Sequence, residues 1–356
     1  MAEENEAVIG IIPDGGRVRS FKNICMRIGL MMVAVFVSRG ACTVLLSLIY
    51  PLFEGMDVTA AYTVQSVFSL VFLYLIPMTA AVLLLKEPKK GTCARIYSKP
   101  KYFGRAMGMF PAFYGLAIAT NLLTMLVGQL FTNTDLNKSF NTVNDLQAAN
   151  MQCAVILFVQ LAVIAPLFEE FWFRGVVMES LRPYGNGFAI FVSAFLFGLT
   201  HANFQQFFYA FVLGICLGYI AQATQSIVTT TIMHAMFNSI SGFLLLLASD
   251  ESVGDYLMAS QSGQEAEKTP MVIVYLVFLL FIMLLMAVGV IMAIFKLRKI
   301  KRYRVPEVWE EYPVRRRWGV FFSRASVIVM LVLAADTFTF RFITNAIYSL
   351  LNPLVK

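Results

Sequence analysis

Charge is scarce in this chain. Asp, Glu, Lys and Arg make up 14% of its 356 residues, where a soluble globular domain carries about 25%, so a water-facing surface of ordinary composition is excluded. Histidine is scarcer still: His201 and His234 are the two in the chain, and any imidazole chemistry has to come from them. The five cysteines, Cys25, Cys42, Cys93, Cys153 and Cys216, are scattered and odd in number. That spacing excludes a disulfide framework and a Cys-x-x-Cys metal knuckle. A cleaved leader is not expected either, because the tail is acidic first and Arg39 interrupts the first apolar run before any small-residue cleavage site. No inverted internal repeat of the transporter kind is visible.

Apolar residues fill the space that charge leaves, at 59% of the chain with a mean hydropathy of +0.73. A span needs about 20 apolar residues to cross a hydrocarbon core of ~30 Å. Such runs fall at 25–50, 64–85, 106–131, 151–178, 206–222, 226–248 and 271–295, with a shorter one at 188–201. The fold expected is an all-α polytopic transmembrane helix bundle with eight predicted spans. Residues 319–351, interrupted by Asp336 and Arg341, form either a ninth span or a helix lying on the surface. The chain divides into a cytosolic tail at 1–22, an N-terminal hairpin with its basic loop at 23–105, a core at 106–297, a basic linker at 298–318 and a C-terminal hydrophobic segment at 319–356.

The net charge of +7 is concentrated in loops rather than along a face, which argues against a nucleic-acid partner. Lys86 to Arg105 carries seven of the cations and the linker beyond residue 295 carries a second cluster, whereas the loops at 51–61 and 249–270 are acidic. By the positive-inside rule the N-terminus is cytoplasmic and eight spans return the chain to that side. Lys99-Pro100-Lys101-Tyr102-Phe103 reads as an interfacial segment on the anionic leaflet, so membrane lipids are the partners expected. Gly104 with Gly108, and Gly214 with Gly218, have the spacing that lets helices approach closely. Arg39, deep in the first run, is expected to make a helix-packing contact.

Against this background Pro166-Leu167-Phe168-Glu169-Glu170-Phe171-Trp172-Phe173-Arg174 stands out. An acid or base at mid-bilayer costs about 2.5–3.5 kcal/mol on insertion scales, so charges kept there tend to serve function. Glu170 and Arg174 are four apart and share one helix face, while Glu169 points about 100° away. Arg174 can neutralise Glu170 and leave Glu169 free. A structural ion pair is the alternative for this stretch taken alone.

Counted at 1.5 Å per residue from the predicted cytosolic helix ends, Glu169 and His201 each lie roughly 20 Å deep, and His234 and Asn238 roughly 12–18 Å. The groups share a level. His234 and Asn238 project from one helix face. A carboxylate, an imidazole and hydrogen-bond donors are the parts needed to activate water and hold an oxyanion in amide hydrolysis.

Glu169-Glu170-x-x-x-Arg174, Phe197-x-x-x-His201 and His234-x-x-x-Asn238, in that order on successive helices, resemble the three motifs of the CPBP family of intramembrane proteases. That family includes the CAAX prenyl endopeptidases and bacterial Abi proteins linked to bacteriocin self-immunity and peptide maturation. All motif positions match, and the resemblance covers about residues 106–250. It implies an intramembrane endopeptidase acting on a membrane-associated peptide or protein. Glu169 with His201 would activate the water, His234 and Asn238 would form the oxyanion hole, Arg174 would position the glutamates, and Glu170 would be a second essential carboxylate. A bacterial plasma membrane is the expected location, with prenylated CAAX substrates correspondingly not expected. No obligatory metal or other cofactor is favoured, since Asn238 takes the place of a second helical zinc ligand; the alternative is Zn2+ held by Glu169, His201 and His234. Two other functions use the same residue types: a transporter or channel with a Glu/His proton relay, and an inactive protease-like scaffold.

Overall fold

The structure, a computed structural model, describes residues 14–129, 150–265, 267–297, 309 and 312–339. Every element among them is helical. In chain order they are α1 (Asp14–Ile49), α2 (Val58–Leu85), the short α3 (Lys90–Ile96), α4 (Phe103–Gly128), α5 (Met151–Tyr184), α6 (Asn186–Thr200), α7 (Phe204–Thr224), α8 (Ile227–Ala248), α9 (Glu251–Gln261), α10 (Pro270–Lys296), α11 (Val314–Phe322) and α12 (Ala325–Thr339). Seven are long and apolar enough to cross a membrane. The chain is an all-α polytopic bundle and an integral membrane protein.

Each of the eight apolar runs has become a helix, with one difference of length. α6 has 15 residues, about 22 Å of rise, and does not reach across a ~30 Å core by itself. α11 and α12 form a pair bent by 71°. α12 lies along α1, where Ser326 Oγ donates to the Met26 carbonyl at 2.7 Å. Residues 14–22, expected in the polar tail, are instead the first turns of α1. Phe21 is fully buried there, packed on Tyr184 and Trp309, and Arg17 lies over the Trp309 ring at 4.8 Å. Residues 1–13, most of the loop at 132–150, the linker residues 298–308 and Arg341 lie outside the described residues.

Helix starts follow ordinary capping chemistry, in which a short polar side chain accepts from an otherwise orphaned backbone N–H. Asn150 accepts from Cys153 N at 2.8 Å ahead of α5, Asn203 from Gln206 N at 2.7 Å ahead of α7, and Ser226 from Val228 N at 3.3 Å ahead of α8. Between α5 and α6 the chain turns at Gly185, whose φ of 131° is open to glycine.

Gly214 and Gly218 of α7 do let α6 come close, against Ala194 and Ile190. The expectation for Gly104 and Gly108 is not met: among the described residues nothing lies within 4 Å of a Cβ placed on Gly104, and Gly108 faces carbonyls of its own first turn. Gly115 of α4 and Gly289 of α10 make the tight crossing instead, and a Cβ on Gly289 would sit 2.0 Å from the Pro111 carbonyl oxygen.

Two spans contain a widened π turn just before a proline. In α2 the turn is Val71–Leu75 and the proline is Pro77; in α5 they are Gln160–Ile164 and Pro166. The next bond of each widened ladder would run from the proline nitrogen to the carbonyl five residues back, and proline has no hydrogen to give. Those two carbonyls, Phe72 and Leu161, are satisfied from other helices. Ser38 Oγ of α1 donates to Phe72 O at 2.6 Å, and Asn238 Nδ2 of α8 donates to Leu161 O at 2.8 Å. Asn238 and Leu161 line a cavity, and Ser38 and Phe72 are sequence neighbours of Arg39 and Leu73, which line it too.

Candidate active site

Glu169 and Glu170 end a six-residue α-helical stretch, Ala165–Glu170, set between the π turn at Gln160–Ile164 and another at Phe171–Val177. The two carboxylates face different surroundings. Glu170 is fully buried and receives Arg174 Nη1 on Oε1 at 2.8 Å, the four-residue pairing read from the spacing. Arg174 is equally buried. Its Nη2 donates to the Gly214 carbonyl at 3.2 Å, and its guanidinium lies over the Phe197 ring at 4.8 Å. Glu169 does not share the Arg174 ion pair of Glu170 and borders a cavity of about 590 Å3.

His234 bridges the two. Its Nδ1 is 2.9 Å from Glu170 Oε1 and its Nε2 is 3.7 Å from Glu169 Oε2. An ionised carboxylate only accepts, so with Glu170 ionised by its arginine the imidazole Nδ1–H is the donor, and Nε2 is turned toward Glu169 and the cavity. His201 enters the same cavity from the end of α6 but makes no carboxylate pair among the described residues. Its Nδ1 is 3.0 Å from the Phe197 carbonyl, which a ring nitrogen meets as an N–H, so the other nitrogen of the neutral ring is an acceptor. Phe197 is the common neighbour, with its ring edge-on to His201 at 5.0 Å and to His234 at 5.6 Å. Its place in the Phe-x-x-x-His motif is thereby explained by packing.

All the sequence-read groups are therefore brought together. Glu169, His201, His234 and Asn238 line the cavity, and Glu170 with Arg174 lies immediately behind them. One difference of detail concerns the imidazoles: His234, rather than His201, is the ring that meets both glutamates. Asn238 commits one amide hydrogen to Leu161 and keeps a second. Among the described residues no three of His, Cys, Asp and Glu are grouped so that they could hold a metal ion.

Two cavity residues were not singled out from the sequence as site groups. Tyr74 of α2 places its hydroxyl 3.3 Å from Glu169 Oε1 and donates to it. Arg39 of α1, expected in a packing contact, lines the cavity and donates to the Thr200 carbonyl at 3.0 Å. Pro77 was the available signal for Tyr74, since a proline inside a span marks a displaced turn. Nothing in the sequence says which way that turn faces.

An acid–base constellation buried within a polytopic helix bundle defines a class, that of integral membrane proteins with an intramembrane polar centre. Residues 151–240 match the family model for type II CAAX prenyl endopeptidase Rce1-like proteins, an interval that runs from the start of α5 past Asn238. The resemblance drawn from the three motifs is borne out by this match. The UPF0177 protein YaiF of Lactococcus lactis subsp. lactis (strain IL1403) is 26% identical over 132 residues, which cover 36% of this chain and 60% of that protein. The chain thus matches less than two thirds of that relative's length. No solved structure matches.

Proposed function

We propose that this protein is an intramembrane endopeptidase that hydrolyses a peptide bond of a membrane-associated peptide or protein, with Glu169 as general base. The observation that carries this reading is the position of His234, 2.9 Å from Glu170 and 3.7 Å from Glu169, at the wall of a cavity of about 590 Å3. Hydrolysis needs a base to take a proton from water, donors for the developing oxyanion, and an acid for the leaving amine.

In the proposed cycle Glu169 takes a proton from a water held by the acceptor nitrogen of His201, and the water oxygen attacks the scissile carbonyl carbon. The carbonyl oxygen becomes the oxyanion. It accepts from the uncommitted amide hydrogen of Asn238 and from His234 when Nε2 carries a proton. Collapse of the tetrahedral intermediate breaks the C–N bond, and the proton on Glu169 passes to the departing nitrogen. Arg174 acts through Glu170: it fixes the carboxylate that in turn fixes the His234 ring. Because Asn238, a poor zinc ligand and a good oxyanion donor, stands four residues from His234 where a helical zinc motif has its second histidine, water activation is proposed to run without an obligatory metal.

The orientation proposed is an N-terminus in the cytoplasm of a bacterial cell, with the site reached from that side or from mid-bilayer. The test is a proteomic comparison of membranes containing the wild-type protein and Glu169→Gln. Fragments present only with the wild type support the reading, and fragments that persist in the variant refute it. Elemental analysis of the same active preparation addresses the metal: stoichiometric zinc, with activity lost to chelation and restored only by metal, would overturn that part.

A further inference from the structure

We infer that Tyr74 is a positioning residue for the general base, so that the active site is completed by a helix lying outside the segment that matches the protease family. The inference rests on the proposed role of Glu169 and deepens it.

The conformation of α2 beside the cavity turns on Pro77. Without an N–H this residue cannot close the ladder behind it, and α2 widens into the π turn at Val71–Leu75. A widened turn displaces its side chains from the register of an unbroken helix. Two contacts hold the displaced turn. Buried Ser38 of α1 donates to the Phe72 carbonyl at 2.6 Å, and the Tyr74 ring packs on Phe168 at 5.8 Å, next to Glu169 in sequence. The phenol is thereby aimed into the cavity, where its hydroxyl donates to Glu169 Oε1 at 3.3 Å.

The two oxygens of Glu169 are consequently differentiated. Oε1 is held by Tyr74, and Oε2 is the one turned to His234 Nε2 at 3.7 Å. A carboxylate at the end of three rotatable bonds would otherwise present either oxygen to water, and a base that is held in one orientation loses less entropy in reaching the reactive geometry. The arrangement mirrors the other side of the cavity, where Asn238 repairs the carbonyl left by Pro166 and so fixes the backbone that carries Glu169. One proline sets the base and the other sets the group that orients it.

The experiment uses the purified full-length chain in detergent. Infrared bands in the carboxyl and carboxylate region that vanish in Glu169→Gln identify the Glu169 signal. Tyr74→Phe, which keeps the ring and removes only the hydroxyl, is expected to shift that signal, and to add nothing further on the Glu169→Gln background. The catalytic readout uses an internally quenched peptide whose sequence spans a cleavage site identified in the membrane comparison of the wild type with Glu169→Gln. Tyr74→Phe is expected to lower kcat about tenfold, the scale of one hydrogen bond to a charged group, with KM changed less than about twofold. A Glu169 signal that does not move in Tyr74→Phe overturns the inference. If Glu169→Gln still cleaves, the general-base reading fails and takes this one with it. If Glu169→Gln is inactive while Tyr74→Phe turns over like the wild type, only the role of Tyr74 fails.

Discussion

Replacing Arg174 by methionine keeps a long side chain against the Phe197 ring and removes the charge. The change reaches two partners, Glu170 Oε1 at 2.8 Å and the Gly214 carbonyl at 3.2 Å, in a place where neither Arg174 nor Glu170 has any exposed surface. The Glu170 carboxylate is left in a buried site with the His234 Nδ1–H, 2.9 Å away, still donating to it. Breaking a buried pair from one side costs about 3–5 kcal/mol, because the surviving charge loses its compensation without regaining water. At roughly 2–3 °C per kcal/mol for a chain of this size, the melting temperature falls by about 6–15 °C. Glu170→Gln, which strands the guanidinium instead, carries a cost of the same order. Combining the two substitutions removes both charges, so the double variant recovers most of the loss, with a coupling of at least about 2 kcal/mol. The assay is the fraction of monodisperse protein surviving a heating series in detergent, read by size-exclusion chromatography. Single variants that melt with the wild type, or a double variant whose loss equals the sum of the two, would refute the reasoning.

Two other expectations follow from packing and from charge. Gly289→Ala puts a Cβ 2.0 Å from the Pro111 carbonyl oxygen, where backbone must move, and is expected to lower the melting temperature by an overpacking cost of about 1–3 kcal/mol. Gly104→Ala, with nothing within 4 Å, serves as the neutral control, and equal melting of the two variants would contradict the crossing of α4 and α10. A cysteine at exposed Ser98, in the loop with Lys99 and Lys101, should react with an impermeant maleimide only after cells are opened, and labelling of intact cells would reverse the proposed orientation.

Glu169 and Glu170 were legible because the bilayer makes charge conspicuous: in a run of apolar residues a retained carboxylate has few explanations. The pairing of Glu170 with Arg174 followed from helical spacing alone, since both ends of the contact lie on one element. The two histidines were identifiable as site residues by their scarcity and depth. Their division of labour was not, because which ring meets the carboxylates depends on how α6 and α8 are rotated against α5. Tyr74 and Ser38 belong to helices far from the motifs, and their roles exist only once α1 and α2 are docked. The small-residue patterns failed in the same way. Gly104 and Gly108 have the right spacing and meet no second helix within 4 Å among the described residues, while Gly115 and Gly289 have no shared motif and meet at the backbone.

What the sequence determined by itself is everything governed by local spacing and by the cost of charge in hydrocarbon: the helices, the turn at Gly185, the Glu170–Arg174 pair, and the set of residues that gather at one depth. Tertiary structure alone decided that His234 stands between the glutamates, that the carbonyls orphaned by Pro77 and Pro166 are repaired from α1 and α8, and that Tyr74 reaches Glu169. The physical reason is that a periodic pattern fixes which face of a helix is apolar to within a broad sector. A hydrogen bond requires its two atoms within about 3.5 Å, and that precision comes only from the packing of one helix against another.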